Sequence, residues 1–389
     1  MMIDWVSVII PLSHSKQING GNVVSVDPDG NIDWQVEKRL LVEGSYGANI
    51  QIRSEHDEGF CSHIRLDGNP VKWLQGHNVW GTTDLLGVIT ACLSRVLILV
   101  APEISQGAMI ASELAARRCA AVEPAEWLRT AGGVHAFGNA IFPYVYCSRL
   151  TRIDITGMYD LGNPHRVLTW LRAAADSANM SYRGRGQFSG DTLYWGKKSR
   201  RWALKMYPKG AELKAHKPKK GITEHPHYLS GVTDFADKAL RVELTLRGME
   251  LKDKRLSGVQ DWREGVIETV YSSYLEGLEF SQNMKVTEIP PDLEKLEARH
   301  RAVVLAWHAG HDLRVMYPRA TWYRYRTEIM KSISLDIALP PPNVLPERSN
   351  VIPLFTILHA KPMSVPDWAK GTSLYFEPPV YRHKLLSVV

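Results

Sequence analysis

Three short stretches of this chain alternate apolar and polar side chains, and that period-two pattern constrains the fold more than any other feature. They are Arg152-Ile153-Asp154-Ile155-Thr156, Trp202-Ala203-Leu204-Lys205-Met206-Tyr207-Pro208-Lys209 and Arg241-Val242-Glu243-Leu244-Thr245-Leu246-Arg247. Side chains on a strand point to opposite faces with period two. Ile153, Ile155, Leu204, Met206, Val242, Leu244 and Leu246 are therefore expected in a core, with Asp154, Lys205, Tyr207, Lys209 and Glu243 together on the other side. A half-exposed antiparallel sheet shows the same alternation, with acids and bases paired across strands. The pattern alone leaves that plain reading open beside a functional one.

The rest of the chain fills in an α+β arrangement. Val6 to Ile10, Ile32 to Leu41, Asn49 to Arg53 and Cys61 to Leu66 have strand composition, with Asp-Gly and Gly-Asn turns between several of them. Thr82 or Thr83 is placed to cap a helix over the apolar run Leu85 to Val100, and a second helix is expected over Ala108 to Arg118. Asn163-Pro164 opens a helical stretch with Val167, Leu168, Leu171 and Ala174 on one side. Thr192 to Trp195 and Arg201 to Tyr207 read as a hairpin, and a helix near Tyr228 to Ala239 leads into the Glu243 strand. Beyond about residue 255 longer helical patterns take over, Val259 to Leu278, Pro291 to Ala309 and Ala320 to Ser334, before a proline-rich end. The expected fold is a largely antiparallel sheet with flanking helices over residues 1–250, followed by a mainly helical region over 251–389.

At 389 residues, 44% hydrophobic and 23% charged, the chain has the make-up of an ordinary globular protein with a sizeable core. Lys plus Arg (47) exceeds Asp plus Glu (41) by six, a surplus that favours a polyanionic partner. Its distribution says more than its size. Lys197 to Lys220 holds ten Lys or Arg residues and one acid, Glu212, around the tyrosine strand, a cluster that suits phosphate contact and equally describes a merely solvated basic loop. The four cysteines (Cys61, Cys92, Cys119 and Cys147) show neither zinc spacing nor a disulfide framework, which suits a reducing cytoplasm. The apolar run from Leu85 is interrupted by Thr90, Ser94 and Arg95, so it reads as a buried helix and no membrane attachment is expected.

Lys72-Trp73-Leu74-Gln75-Gly76-His77-Asn78-Val79-Trp80-Gly81-Thr82-Thr83-Asp84-Leu85 closely resembles a stretch of the filamentous-phage replication initiators, the gene II endonuclease family. Arg152-Ile153-Asp154, Lys205-Met206-Tyr207-Pro208-Lys209-Gly210-Ala211-Glu212-Leu213 and Arg241-Val242-Glu243 are similar to further segments of that family, in the same order. So are Thr321-Trp322-Tyr323-Arg324-Tyr325, Asn350-Val351-Ile352-Pro353-Leu354 and Pro366-Asp367-Trp368. The chain departs from better-known members over much of the first 60 residues and around 250 to 310. The resemblance implies a rolling-circle initiator that nicks one strand of phage or plasmid origin DNA in the host bacterial cytoplasm, leaves a 3′-hydroxyl for a host polymerase, works with a host helicase, and rejoins the displaced strand. A non-catalytic origin-binding initiator or regulator is the alternative.

The residues themselves suit such chemistry. Tyr207 is the expected nucleophile, and ionising a free phenol at about pH 7.5 costs roughly 3.5 kcal/mol, which Lys205 and Lys209 are placed to lower. Asp154 and Glu243 are hard oxygen ligands of the kind Mg²⁺ or Mn²⁺ prefers. His77 is a third candidate ligand or phosphate contact, and equally a residue that holds its loop by hydrogen bonds. Lys72, Asn78, Lys197, Lys198, Arg200, Arg201 and Arg241 are candidate DNA contacts. Tyr194 is the nucleophile in place of Tyr207, a second one for strand rejoining, or a packing aromatic. His225-Pro226-His227 mimics a metal motif, but Pro226 removes a ladder donor and the segment reads as a turn. Residues 251–389 are candidates for origin recognition, with Trp322 and its neighbours either stacking on bases or packing in a helical core.

Overall fold

The computed structural model describes residues 1–57, 60–102, 104, 131–215, 225–226, 229–280, 293–308, 311, 313–333, 335–338, 358 and 361–381. The three alternating stretches lie in one nine-stranded sheet. From edge to edge its strands are Gln187–Ser189, Thr192–Trp195, Trp202–Pro208, Ala239–Arg247, Arg149–Asp160, Met2–Ile10, Phe60–Gly68, Asn49–Asp57 and Leu40–Glu43. Every neighbouring pair is antiparallel. The amino-terminal strand sits in the middle, which accounts for its near-continuous apolar sequence, buried on both faces.

One face carries the expected core. Leu204, Met206, Val242, Leu244, Ile153 and Ile155 join Val167, Trp170, Leu171 and Ala174 of the Pro164–Ser177 helix in a single apolar cluster. Asn163 caps that helix, its side chain accepting from Arg166 N at 2.9 Å. Gly157 lies under Tyr271, where any Cβ would fall 2.6 Å from the phenol oxygen. Leu85–Val100 is a buried helix. Its cap is Asp84, not Thr82 or Thr83, because the Asp84 carboxylate reaches Gly87 N at 2.8 Å.

The opposite face, expected to be open, is covered. Met158 and Ala239 from the sheet pack with Val79, Trp80, Leu213, Val232, Ala236 and Ala369 in a smaller apolar cluster. The Ser230–Asp237 helix and the turn around Trp80 supply part of this lid, and residues 361–381 supply the rest. Met363 N donates to Met158 O at 2.7 Å, and Phe376 N to Gln75 Oε1 at 2.9 Å. The Leu374 carbonyl accepts from both His77 Nε2 and Trp80 Nε1, each at 2.8 Å. The end of the chain thus crosses back over the expected boundary near residue 250 and straps the loop carrying His77 and Asn78.

Between these segments lies a helical unit. Ala298–His308, Leu313–Met316 and Arg319–Ile333 enclose Val303, Val304, Trp307, Trp322 and Ile329. Trp322 is therefore a core residue, while Tyr323 remains exposed. The helical pattern from Val259 divides into a short 3₁₀ turn and the helix Val266–Glu276, because Gly265 adopts a left-handed φ of 82°. The expected helix over 108–118 and the segment 350–354 lie outside the described residues. Among the described residues no helix is long and apolar enough to cross a membrane.

Candidate active site

Strand register assembles the site. Lys205 lies opposite Glu243 and Tyr207 opposite Arg241, while Thr156 and Asp154 lie opposite Glu243 and Thr245. Asp154 and Glu243 are consequently diagonal neighbours on one face, a relation that in antiparallel sheets spans about 7–8 Å. The Tyr207 hydroxyl donates to Glu243 Oε2 at 3.2 Å. Glu243 Oε1 is paired with Lys205 Nζ at 2.6 Å, and the same ammonium lies 5.5 Å from the centre of the Tyr207 ring. Arg152 grips Asp154 with two bonds, of 2.8 and 2.6 Å.

A further acid, Asp4, belongs to the site and was not singled out from the sequence. Ile3 pairs with Ile155 and Trp5 with Asp154, so Asp4 is the extra residue of a β-bulge. Bulges re-aim a side chain, and this one directs Asp4 to Asn69 Nδ2 at 2.5 Å, Asn78 Nδ2 at 2.8 Å and Arg241 Nη2 at 2.8 Å. Arg241 also donates to the Asn78 carbonyl. Asn78 Oδ1 accepts from Lys209 Nζ at 2.8 Å, and Lys209 pairs with Glu212 at 2.5 Å. The strand ends at Pro208, so Lys209 opens a helix, Lys209–Ala215, instead of continuing the strand face. Each acid has its own base: Asp4 with Arg241, Asp154 with Arg152, Glu212 with Lys209 and Glu243 with Lys205. Such pairing is what burial of charge demands.

Burial is the main influence on how these groups titrate. It pushes the Tyr207 phenol well above its usual value, and Glu243, Asp4 and Glu212 add to the shift while Arg241 opposes it. The cation that most eases ionisation is therefore Arg241, in place of the expected lysines. Glu243 is raised to about 8, by burial first and then by repulsion from Asp4 and Asp154 against the pull of Lys205 and Arg241. Lys209 is lowered to about 8, again by burial and then by Arg241. Burial alone would raise Asp4, but Arg241, Lys209 and the Asn78 hydrogen bond hold it well below the ordinary carboxylate range.

The remaining candidates separate by exposure. His77 is fully buried and lowered to about 3 by that burial. Its Nε2 bonds to the Leu374 carbonyl and its Nδ1 accepts from Val79 N at 3.2 Å, so both nitrogens are committed to backbone. Arg241 is wholly buried, and Asn78 nearly so. They brace the site from within, which corrects the expectation that Arg241 contacts DNA. Lys72 is part-buried on the short helix Pro70–Gln75. Lys197, Lys198 and Arg200 are exposed, while Arg201 pairs with Glu250 at 2.8 Å and with Asp253. His225 is buried, edge-on to Tyr46, and His227 lies outside the described residues. Among the described residues no group of three or more His, Cys, Asp or Glu side chains is arranged to hold a metal.

Comparison with known proteins agrees along the chain. Residues 2–116 and 145–265 match the N-terminal family of the gene II replication-associated protein, and residues 294–375 match its C-terminal family. The sequence is 33% identical over 367 residues to the replication-associated protein of the same kind from Enterobacteria phage I2-2, covering 94% of this chain and 95% of that relative. A rolling circle replication initiator protein from Geobacillus stearothermophilus overlaps 72% of this chain and 86% of its own, with a TM-score of 0.30 and 12% identity, too distant to bear on the site.

Proposed function

Since this chain belongs to the gene II replication-associated protein family, we propose that it initiates rolling-circle replication by nicking one strand of phage or plasmid origin DNA through Tyr207 and later rejoining the displaced strand. The observation that carries this reading is the contact between the Tyr207 hydroxyl and Glu243 Oε2. A buried phenol needs a base, and a carboxylate whose hold on a proton is strengthened by burial is suited to that task.

Tyr207 Oη attacks the scissile phosphorus as its proton passes to Glu243 Oε2. The bond from phosphorus to the 3′ oxygen breaks and that oxygen takes a proton from water, leaving a 3′-hydroxyl for a host polymerase and a 5′ phosphate esterified to the tyrosine. That ester keeps the bond energy needed for rejoining, which hydrolysis would dissipate. Arg241, anchored by Asp4, holds positive charge beside the phenol. Lys209 is buried and acts through Asn78. Lys205 and Arg152 are partly exposed at the rim and are the cations an incoming phosphate meets first.

Asp154 and Glu243 suit a divalent ion, since Mg²⁺ is usually held by one or two carboxylates with water and substrate phosphate. Glu243 is lifted first by burial, and the neighbouring negative charge of Asp4 and Asp154 that adds to the rise marks the same spot. Mg²⁺ or Mn²⁺ held there would supply neutralisation of charge on the scissile phosphate.

The test is to incubate the protein with supercoiled DNA carrying its own origin and Mg²⁺, and to look for protein attached to a 5′ end. Origin binding without any adduct would favour the non-catalytic reading.

A further inference from the structure

We infer that Tyr194 is a stacking platform for one unpaired base of the DNA strand led to Tyr207. This rests on the proposed nicking role of Tyr207 and adds a binding subsite to it. Tyr194 lies directly opposite Lys205, and Lys205 and Tyr207 occupy alternate positions of one strand, so all three share the face that carries Glu243. Lys197 Nζ lies 4.9 Å from the centre of the Tyr194 ring, and Lys205 Nζ lies 5.5 Å from that of Tyr207. Cation and aromatic ring thus alternate from the sheet edge to the nucleophile.

Tyr194 is partly exposed, whereas its neighbours Leu193 and Trp195 are buried on the opposite face. The packing role in this strand therefore belongs to Leu193 and Trp195. The ammonium over the Tyr194 ring belongs to an exposed lysine that also bonds Ser189 Oγ at 2.7 Å. A base can replace that ammonium over the ring, which frees Lys197 for a phosphate. Next to Tyr194 only the short edge strand Gln187–Ser189 intervenes before solvent, and all three of its residues are exposed.

The charge fits a nucleic acid strand. Residues 181–205 contain Arg183, Arg185, Lys197, Lys198, Arg200, Arg201 and Lys205 against the single acid Asp191. A groove of cations with an aromatic ring between them is how single strands are held without base readout. Duplex DNA keeps its base faces stacked and cannot use such a ring.

The experiment measures anisotropy of labelled single-stranded oligonucleotides on the full chain carrying Tyr207→Phe, so that no adduct forms. Tyr194→Ala is expected to weaken single-strand binding about ten-fold while leaving duplex binding unchanged, and Tyr194→Phe and Tyr194→Trp to bind within about two-fold of the parent. An oligonucleotide with one abasic site at the stacked position should lose as much on the parent and lose nothing more on Tyr194→Ala. The inference is overturned if Tyr194→Phe loses as much as Tyr194→Ala, which assigns the role to the hydroxyl. It is equally overturned if Tyr194→Ala binds like the parent. A wild-type Tyr207 chain assayed in parallel for the 5′ adduct tests the nucleophile separately.

Discussion

The Tyr207 hydroxyl and the Glu243 carboxylate are already in hydrogen-bond contact, at 3.2 Å, inside a site from which water is largely excluded. Removing only the phenol oxygen should therefore stop chemistry and spare recognition. Tyr207→Phe is expected to abolish the covalent protein–DNA adduct on denaturing gels, with origin affinity changed less than about two-fold. The lost buried hydrogen bond should cost only about 1 kcal/mol of stability.

Glu243 should make the stability of the metal-free chain depend on pH. Glu243 titrates near 8 when folded and near 4.5 when unfolded, so between those values the native state binds more protons. Its contribution is full below about 4.5 and is lost as pH rises towards 8. Lys209, lowered from 10.5 to about 8, gives the reverse trend, with stability recovering between 8 and 10.5. His77, lowered to about 3, works in the opposite sense up to about 6.5. The Glu243 contribution is therefore read as the difference in urea midpoint between the parent and Glu243→Gln, which should move against the parent as pH rises from 6.5 to 8. Glu243→Gln should also eliminate nicking.

Metal dependence should distinguish the acids from His77. Asp154→Ala is expected to raise the Mg²⁺ concentration for half-maximal nicking about ten-fold or more, with partial rescue by excess Mn²⁺. His77→Ala should leave that midpoint in place and instead lower the thermal midpoint, since the imidazole ties Val79 N and the Leu374 carbonyl together. A titration of activity against Mg²⁺ beside a melting curve reads both.

Asp4 and Arg241 should behave as a unit. Asp4→Ala leaves a guanidinium buried without its carboxylate and is expected to cost about 3–5 kcal/mol in urea unfolding. Asp4→Ala combined with Arg241→Met should cost clearly less than the sum of the two single changes. Strict additivity would show that the two do not support each other.

The alternating stretches made the sheet and the convergence of Asp154, Lys205, Tyr207 and Glu243 legible, because period two leaves one choice of face. Burial of that face was not legible. The segments that cover it, around Trp80 and from 361 to 381, are irregular and lie far from the strands in sequence, so no periodicity announces them. Asp4 escaped for a related reason: a bulge breaks the alternation at the residue it re-aims. Its signal was a lone acid within the apolar run Met1-Met2-Ile3-Asp4-Trp5-Val6, a charge that burial would oblige to find a base. Lys209 was assigned to the strand face because the change from strand to helix falls at Pro208, one residue earlier.

The strap formed by residues 361–381 has a consequence for truncation. Asp4 and Leu374 lie far apart in sequence, yet both hold the loop bearing Asn78. A chain severed just before residue 361 keeps every strand of the nine-stranded sheet but loses the clasp on that loop, so such a cut should loosen Asn78 and the Lys209 ammonium bound to it while the sheet stays folded.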